Sequence, residues 1–328
     1  MTALELSAYN GLSALRVVEK PVPELRGGQV LVKVEVAAVN PSDLMFIKGR
    51  YGFTKPLPVV PGFEASGRVV SGHGTYARAL VGRRVACAVQ QQGDGTWAEY
   101  AAVDAMSCLP LLPSVSFEEG AALFVNPFTA YALLERARKA RARAVVQTAA
   151  ASALGKMILR LSQRAGLPVI HIVRRDEQVQ QLRELGATDV LNSETPGFLE
   201  YLTARCHELG ATLAFDAVAS DLSRMVVQAM PEGSTLIVYG ALSEQNVAIS
   251  PSELIFRHQR VEGFWLSTYM SQLGLPGLLR RALKVQRTLS TDLQVKVRER
   301  ATLAHAAAAI ERYEAHMSGG KLLITPGE

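Results

Sequence analysis

Residues 144–175 read AVVQTAAASALGKMILRLSQRAGLPVIHIVRR, and this stretch decides the fold. AVVQTA (144–149) is a short apolar run of the kind that fills a strand buried on both faces. LGKMILRLSQRAG carries apolar residues at helical spacing and stops at Gly166, a residue suited to the left-handed turn that ends helices. VIHIV (169–173) is the next buried strand. A strand, a helix and a second strand joined by short loops form a βαβ unit, whose strands must lie parallel.

Working outward, the same alternation continues. EQVQQLRELGA is an amphipathic helix ending at Gly186, DVLN a short strand and FLEYLTARCHELG a helix. TLAFDAV (212–218) is a strand, followed by a helix to about Met230 and the strand STLIVYGA (234–241). Such alternation predicts a doubly wound parallel sheet. On the amino-terminal side, SFEEGAALFVNPFTAYALLERA (116–137) predicts one helix, capped by Ser116 with Glu118 and Glu119 in its first turn.

The first 110 or so residues have a different period. LVKVEVAAV (31–39) sets valine at alternate positions and predicts a strand. Turn-forming residues follow at Asn40-Pro41-Ser42-Asp43, Pro56, Pro58 and Pro61-Gly62; GRVV (67–70) and RRVACAV (83–89) are further short strands. Closely spaced strands punctuated by Gly and Pro predict a partly open barrel. After Phe264 the chain reads as helical, and KLLITP (321–326) predicts a last strand returning to the first domain. The expected organisation is an α/β chain: a barrel domain from 1–116 and 267–328, and a parallel-sheet domain from 117–266.

Composition narrows the function classes. The 328 residues are 48% apolar and 20% charged, ordinary for a globular protein with two cores. No apolar run is long enough to span a membrane, and MTALELSAYN has neither the basic start nor the apolar stretch of a secretory signal. A cytoplasmic location is expected. Cys87, Cys108 and Cys206 are odd in number and far apart, which fits buried free thiols and excludes a CxxC zinc lobe. Net charge is +5 without a nucleic-acid motif. The cluster RARKARAR (136–143) reads either as a solvated helix end or as a landing patch for an anionic acyl carrier.

The loop after AVVQTA is where a dinucleotide pyrophosphate is expected, because a helix N-terminus there presents amides and a positive dipole end. Its glycine fingerprint is degenerate: Ala149, Ala151 and Gly155 are the small residues. The following strand adds a second signal. Where a carboxylate would hold the ribose of NAD, the chain has Arg174-Arg175, and guanidinium groups suit a 2′-phosphate. NADPH is the expected cofactor.

The order of domains, with VNPSD (39–43), GRYG (49–52), VPGFEASGRVV (60–70), GTWAEY (95–100), LRELGATDVLN (182–192) and GGKLLI (319–324), resembles the medium-chain dehydrogenase/reductases over nearly the whole chain. That resemblance implies a GroES-like catalytic domain around an inserted Rossmann domain. The zinc enzymes of this superfamily bind metal at positions that are Asn40 and Phe63 here, and neither residue suits zinc. His73 and His171 read as surface or core histidines. Among zinc-free members, GRYGF, GTW, VNPFTAY, YGAL and LIFRHQRVEGFWLS (254–267) resemble the mitochondrial-type 2-enoyl thioester reductases, with quinone oxidoreductases as the alternative.

Carried over residue by residue, the resemblance implies that Tyr51 is the proton donor, with Asn40 orienting it or the nicotinamide ribose. It implies cofactor contacts at Asn126, Thr129, Ala151, Ser152, Ala153, Leu154, Arg174, Arg175, Asp176, Tyr239, Gly240, Ala241, Leu242, Phe264, Trp265, Leu266 and Lys321. Asp176 departs from the basic residue often found there. Trp265 reads equally as a pocket aromatic or a core one. The expected reaction is NADPH-dependent reduction of the α,β double bond of a trans-2-enoyl thioester. Reduction of quinones or enones is the alternative, and a non-catalytic NADPH-binding protein is a third reading. A homodimer is expected, with NVAIS (246–250) as the strand at the edge of the sheet.

Overall fold

A computed structural model describes residues 1–89 and 91–327, without the side chain of Leu275. The chain divides into two compact units, Met1–Phe128 with Gly274–Glu328, and Thr129–Leu273. Both divisions fall later than the expected boundaries at 116 and 266. The first shift has a local cause: the segment after Ser116 is tied to the first unit. Ser66 Oγ donates to the Phe117 carbonyl at 2.5 Å, and the Glu64 carboxylate accepts from the amides of Phe124 and Val125 at 2.9 and 3.0 Å.

The first unit begins with β1 (Thr2–Leu6), β2 (Leu15–Glu19), β3 (Gln29–Ala38), β4 (Glu64–Gly72), β5 (Arg84–Ala88), β6 (Tyr100–Asp104) and β7 (Cys108–Pro110). The second unit holds β8 (Ala144–Gln147), β9 (Val169–Val173), β10 (Asp189–Asn192), β11 (Ala211–Asp216), β12 (Thr235–Val238) and β13 (Arg260–Gly263). The chain then returns to the first unit with β14 (Val297–Ala301) and β15 (Lys321–Ile324).

In the first unit a seven-stranded sheet runs β14-β15-β3-β4-β5-β7, with β6 also paired to β3, and β1-β2 form a separate ladder. The returning β15 lies antiparallel to β3, with Leu323 opposite Ala38. Val30, Val32, Val34 and Val36 all face the interior, as their spacing demands. Trp97, wholly buried, donates its indole N–H to the Ala38 carbonyl at 3.3 Å.

In the second unit six parallel strands run β10-β9-β8-β11-β12-β13. Successive strands extend from β8 first in one direction and then in the other, so the reversal point lies at the carboxyl ends of β8 and β11. Val145 and Val146 are fully buried, and each contributes about 1.5–3 kcal/mol by leaving water. Helix Ala153–Ala165 packs Leu154, Met157, Ile158 and Leu161 inward and ends at Gly166 with φ 65°, the left-handed conformation foreseen for it.

Two elements differ from expectation. The stretch 116–137 is not one helix: Phe117–Ala121 and Thr129–Lys139 are helical, and Phe124–Phe128 forms a wider turn containing Pro127. Proline cannot donate to a helical ladder, and the neighbouring amides are taken by Glu64 instead. NVAIS (246–250) forms no strand, and the sheet ends on that side at β13. A segment that pairs with no strand among the described residues has no ladder to make it one.

Candidate active site

In the first unit the site begins where β3 ends. Asn40 caps the helix Pro41–Ile47, whose third residue Asp43 bonds back to the Asn40 amide at 2.7 Å. The other Asp43 oxygen accepts from the Phe63 amide at 3.0 Å. The Asn40 side chain is buried and engaged at both ends: its NH2 donates to Glu64 Oε1 at 3.0 Å, and its carbonyl oxygen accepts from the Lys321 ammonium. Glu64, Asp43 and Lys321 are therefore ionisable side chains shut inside one core, at 0, 0 and 1% exposure. Burial pushes the Glu64 and Asp43 carboxyls up, Asp43 to about 7, and pushes Lys321 down against the pull of both.

Tyr51 follows this helix and packs edge-on against Phe53, with ring centroids 5.1 Å apart, and obliquely against Phe63 at 4.8 Å. Phe46 closes the cluster at 5.5 Å from Phe63. Lys55, mostly buried, donates to the Gly93 carbonyl at 2.9 Å, and burial pulls its ammonium down to about 8. Asn126 lies in the wide turn that Glu64 holds.

In the second unit the candidate cofactor residues gather at the carboxyl ends of the parallel strands. After β8 comes Ala149, at φ 48°, then Ala151 and Ser152. Ser152 caps the next helix by accepting from the Gly155 amide at 3.0 Å, and the helix geometry leaves the amides of Ala153 and Leu154 outside its ladder. Gly155 is required by space: a Cβ there would stand 2.4 Å from the Ala150 carbonyl oxygen. Arg174, Arg175 and Asp176 follow β9 and are exposed, with Asp176 accepting from Asn192 Nδ2 at 2.8 Å. Tyr239, Gly240, Ala241 and Leu242 follow β12, while Phe264, Trp265 and Leu266 follow β13. Trp265 is 37% exposed and is not a core aromatic. Thr129 opens a helix of this unit and is buried. The cluster Arg136–Arg143 ends at the amino end of β8, opposite to these loops, and Arg136 is paired with Glu262.

One carboxylate, not singled out in the sequence, organises the loops. Asp216, fully buried at the end of β11, accepts from Thr148 Oγ1 at 2.6 Å, Ser223 Oγ at 2.5 Å and the amides of Val218 and Ala219 at 2.9 and 3.3 Å. It joins the loop after β8 to the loop after β11. Nearby, the buried Tyr239 hydroxyl has no hydrogen-bond partner among the described residues.

Known proteins share this fold. Residues 26–114 match the alcohol dehydrogenase GroES-like domain, and residues 153–282 match the family described as zinc-binding dehydrogenase. The human mitochondrial enoyl-[acyl-carrier-protein] reductase is 31% identical over 262 residues, which cover 77% of this chain and 70% of the relative. This chain belongs to the medium-chain dehydrogenase/reductase superfamily, a family of oxidoreductases. The corresponding enzyme of Arabidopsis thaliana is 28% identical over 79% of this chain and 70% of its own. Among solved structures, a Mesorhizobium loti protein provisionally called an NADPH:quinone reductase superposes with a TM-score of 0.92 at 37% identity, over 99% of this chain and 98% of that one. The quinone oxidoreductase of Thermus thermophilus, solved alone and with NADPH, gives a TM-score of 0.79 at 29% identity, over 99% of this chain and 100% of that one.

The residues of this chain do not fit the metal in one of those family names. At the ligand positions of the zinc enzymes, Asn40 is consumed by Glu64 and Lys321, and Phe63 is packed in an aromatic cluster. Among the described residues no three His, Cys, Asp or Glu side chains converge as a ligand set. His171 faces Gln147 at 2.6 Å inside the sheet, and burial holds its imidazole down to about 4.

Proposed function

We propose that the protein is an NADPH-dependent reductase of the α,β double bond of 2-enoyl thioesters, with Tyr51 as the acid. The observation that carries this reading is the placement of Tyr51, fixed by ring contacts to Phe53 and Phe63. Hydride addition to an enoyl thioester leaves an α carbon that must be protonated, and a positioned phenol serves that step. Reduction of a quinone ends on oxygens that exchange protons with water and need no such acid. Sequence relatives named enoyl-[acyl-carrier-protein] reductases support the same choice.

Bound NADPH would supply the hydride. The residues of the second unit fit such a cofactor. The amides of Ala153 and Leu154 at a helix N-terminus suit a pyrophosphate, and the close packing at Gly155 lets the helix start approach it. Arg174 and Arg175, exposed after β9, suit the 2′-phosphate that separates NADPH from NADH. Thr129, Tyr239–Leu242 and Phe264–Leu266 complete the set in that unit, and the reading adds Asn126 of the first unit as a further cofactor contact. Asn40 acts on Tyr51 through its helix cap and not by direct contact with substrate, since its side chain is fully buried and bonded to Glu64 and Lys321.

A quinone-reducing activity is the second reading, favoured by the two structural relatives. One panel separates them: NADPH oxidation with enoyl thioesters of several lengths, 1,2- and 1,4-quinones, and simple enones. Turnover on quinones with none on thioesters would establish the second reading. The reading includes a homodimer built on the exposed edge at β13, where Val261 is 40% exposed and Ile255 and Phe256, just before it, are 60% and 75% exposed. No helix among the described residues is long and apolar enough to cross a membrane.

A further inference from the structure

Three ionisable side chains sealed in a protein interior are expensive. Each ion loses its hydration, and well-packed apolar residues of similar volume often serve stability as well or better. Glu64 on β4, Asp43 in the helix after β3 and Lys321 on β15 occupy such a place, at the meeting of three adjacent strands. Their bonds lead outward to the candidate catalytic segments. Glu64 Oε2 accepts from Phe124 and Val125 at 2.9 and 3.0 Å and so shapes the turn that carries Asn126. Glu64 Oε1 and Lys321 hold the two ends of the Asn40 amide. Asn40 caps the helix leading to Tyr51, and Asp43 of the same helix holds the amide of Phe63, whose ring lies 4.8 Å from Tyr51.

We propose that Glu64 and Lys321 are positioning residues of the reaction, joined through Asn40, which fix the Tyr51 and Asn126 segments relative to each other. The proposal rests on the role given to Tyr51 above. It gives Lys321 a task inside the first unit, that of counter-ion to Glu64 and anchor of Asn40, in place of the cofactor contact implied by resemblance. Glu64 is the hub, because its carboxylate bonds both segments.

The test compares Glu64→Gln, Lys321→Met and the double variant in the full chain, each assayed for melting temperature, NADPH dissociation constant, and kcat and KM on the acceptor the wild type reduces best. Lys321→Met leaves Glu64 and Asp43 buried without their cation, and Glu64→Gln removes the carboxylate that holds Asn40 and the amides of Phe124 and Val125, so both singles melt earlier. The double variant restores the charge balance and most of the melting temperature. Its kcat stays at least tenfold below wild type, while NADPH binding remains within threefold. A double variant with wild-type melting and wild-type kcat would overturn the proposal, because the cluster would then serve only its own charge balance. Should the wild type reduce none of the acceptors, the role of Tyr51 fails, and hydrogen exchange still decides the positioning. In Lys321→Met, peptides covering 40–53 and 120–128 should exchange at least tenfold faster while those covering 144–175 keep their rate. Equal acceleration throughout, or none, would refute it.

Discussion

Tyr51 and the arginine pair carry the account at the scale of single residues. Tyr51→Phe removes the transferable proton and keeps the ring packed against Phe53 and Phe63, so turnover on an enoyl thioester should fall about 10²-fold or more with NADPH affinity unchanged. Unchanged turnover, measured by NADPH oxidation, would remove the residue from the reaction. Arg174→Ala and Arg175→Ala should each weaken NADPH by about 1.5–3 kcal/mol, the worth of a hydrogen bond to a charged group, and leave NADH binding nearly as it was. Equal losses for the two nucleotides, in a titration of cofactor fluorescence, would mean that neither arginine reads the 2′-phosphate. Lys55 gives a pH dependence whose sign is fixed. Its folded ammonium is held down to about 8, below the ordinary value of 10.5 that an unfolded lysine keeps. Between those values the unfolded chain binds the extra proton, so this residue adds stability as pH rises from about 8 to 10.5. That increment is lost again as pH falls back to about 8. Lys55→Met should flatten this part of the stability curve in denaturant titrations.

At the scale of elements, the loops of the second unit depend on Asp216. Asp216→Ala deprives Thr148, Ser223 and two backbone amides of their acceptor inside a dry core, a loss on the order of 3–5 kcal/mol. Chemical denaturation should show it, together with weaker NADPH binding, because the loop after β8 loses its anchor. The strands and helices from 144 to 241 were legible because each buries an apolar stripe or run, and local period reports burial directly. The break at Phe124–Phe128 was not, since its cause, the Glu64 carboxylate, lies some sixty residues away in sequence. A longer separation, 281 residues between Asn40 and Lys321, hid the cluster around Lys321, which needs β15, β3 and β4 side by side before it exists. A signal for Glu64 was nonetheless present: an acidic residue within VPGFEASGRVV, between apolar neighbours at the start of a strand, has no solvent-facing reason to be there. The segment NVAIS has the composition of a strand and pairs with no strand among the described residues, which composition does not reveal.

For the whole molecule, the open edge at β13 and the exposed Ile255 and Phe256 predict self-association. Light scattering should give twice the 35.4 kDa of one chain, and a mass of one chain would contradict the dimer. The basic segment Arg136–Arg143 begins with an arginine already paired to Glu262 and ends at the amino end of β8, which favours a solvated helix end over a landing patch for substrate. Fold and family are common to enoyl and quinone reductases, so neither decides the acceptor. The deciding measurement is NADPH oxidation by the purified protein against enoyl thioesters of graded length, quinones and simple enones. Saturable turnover on the thioesters, abolished or strongly reduced by Tyr51→Phe, is the expected result. Turnover confined to quinones and indifferent to Tyr51 would contradict it.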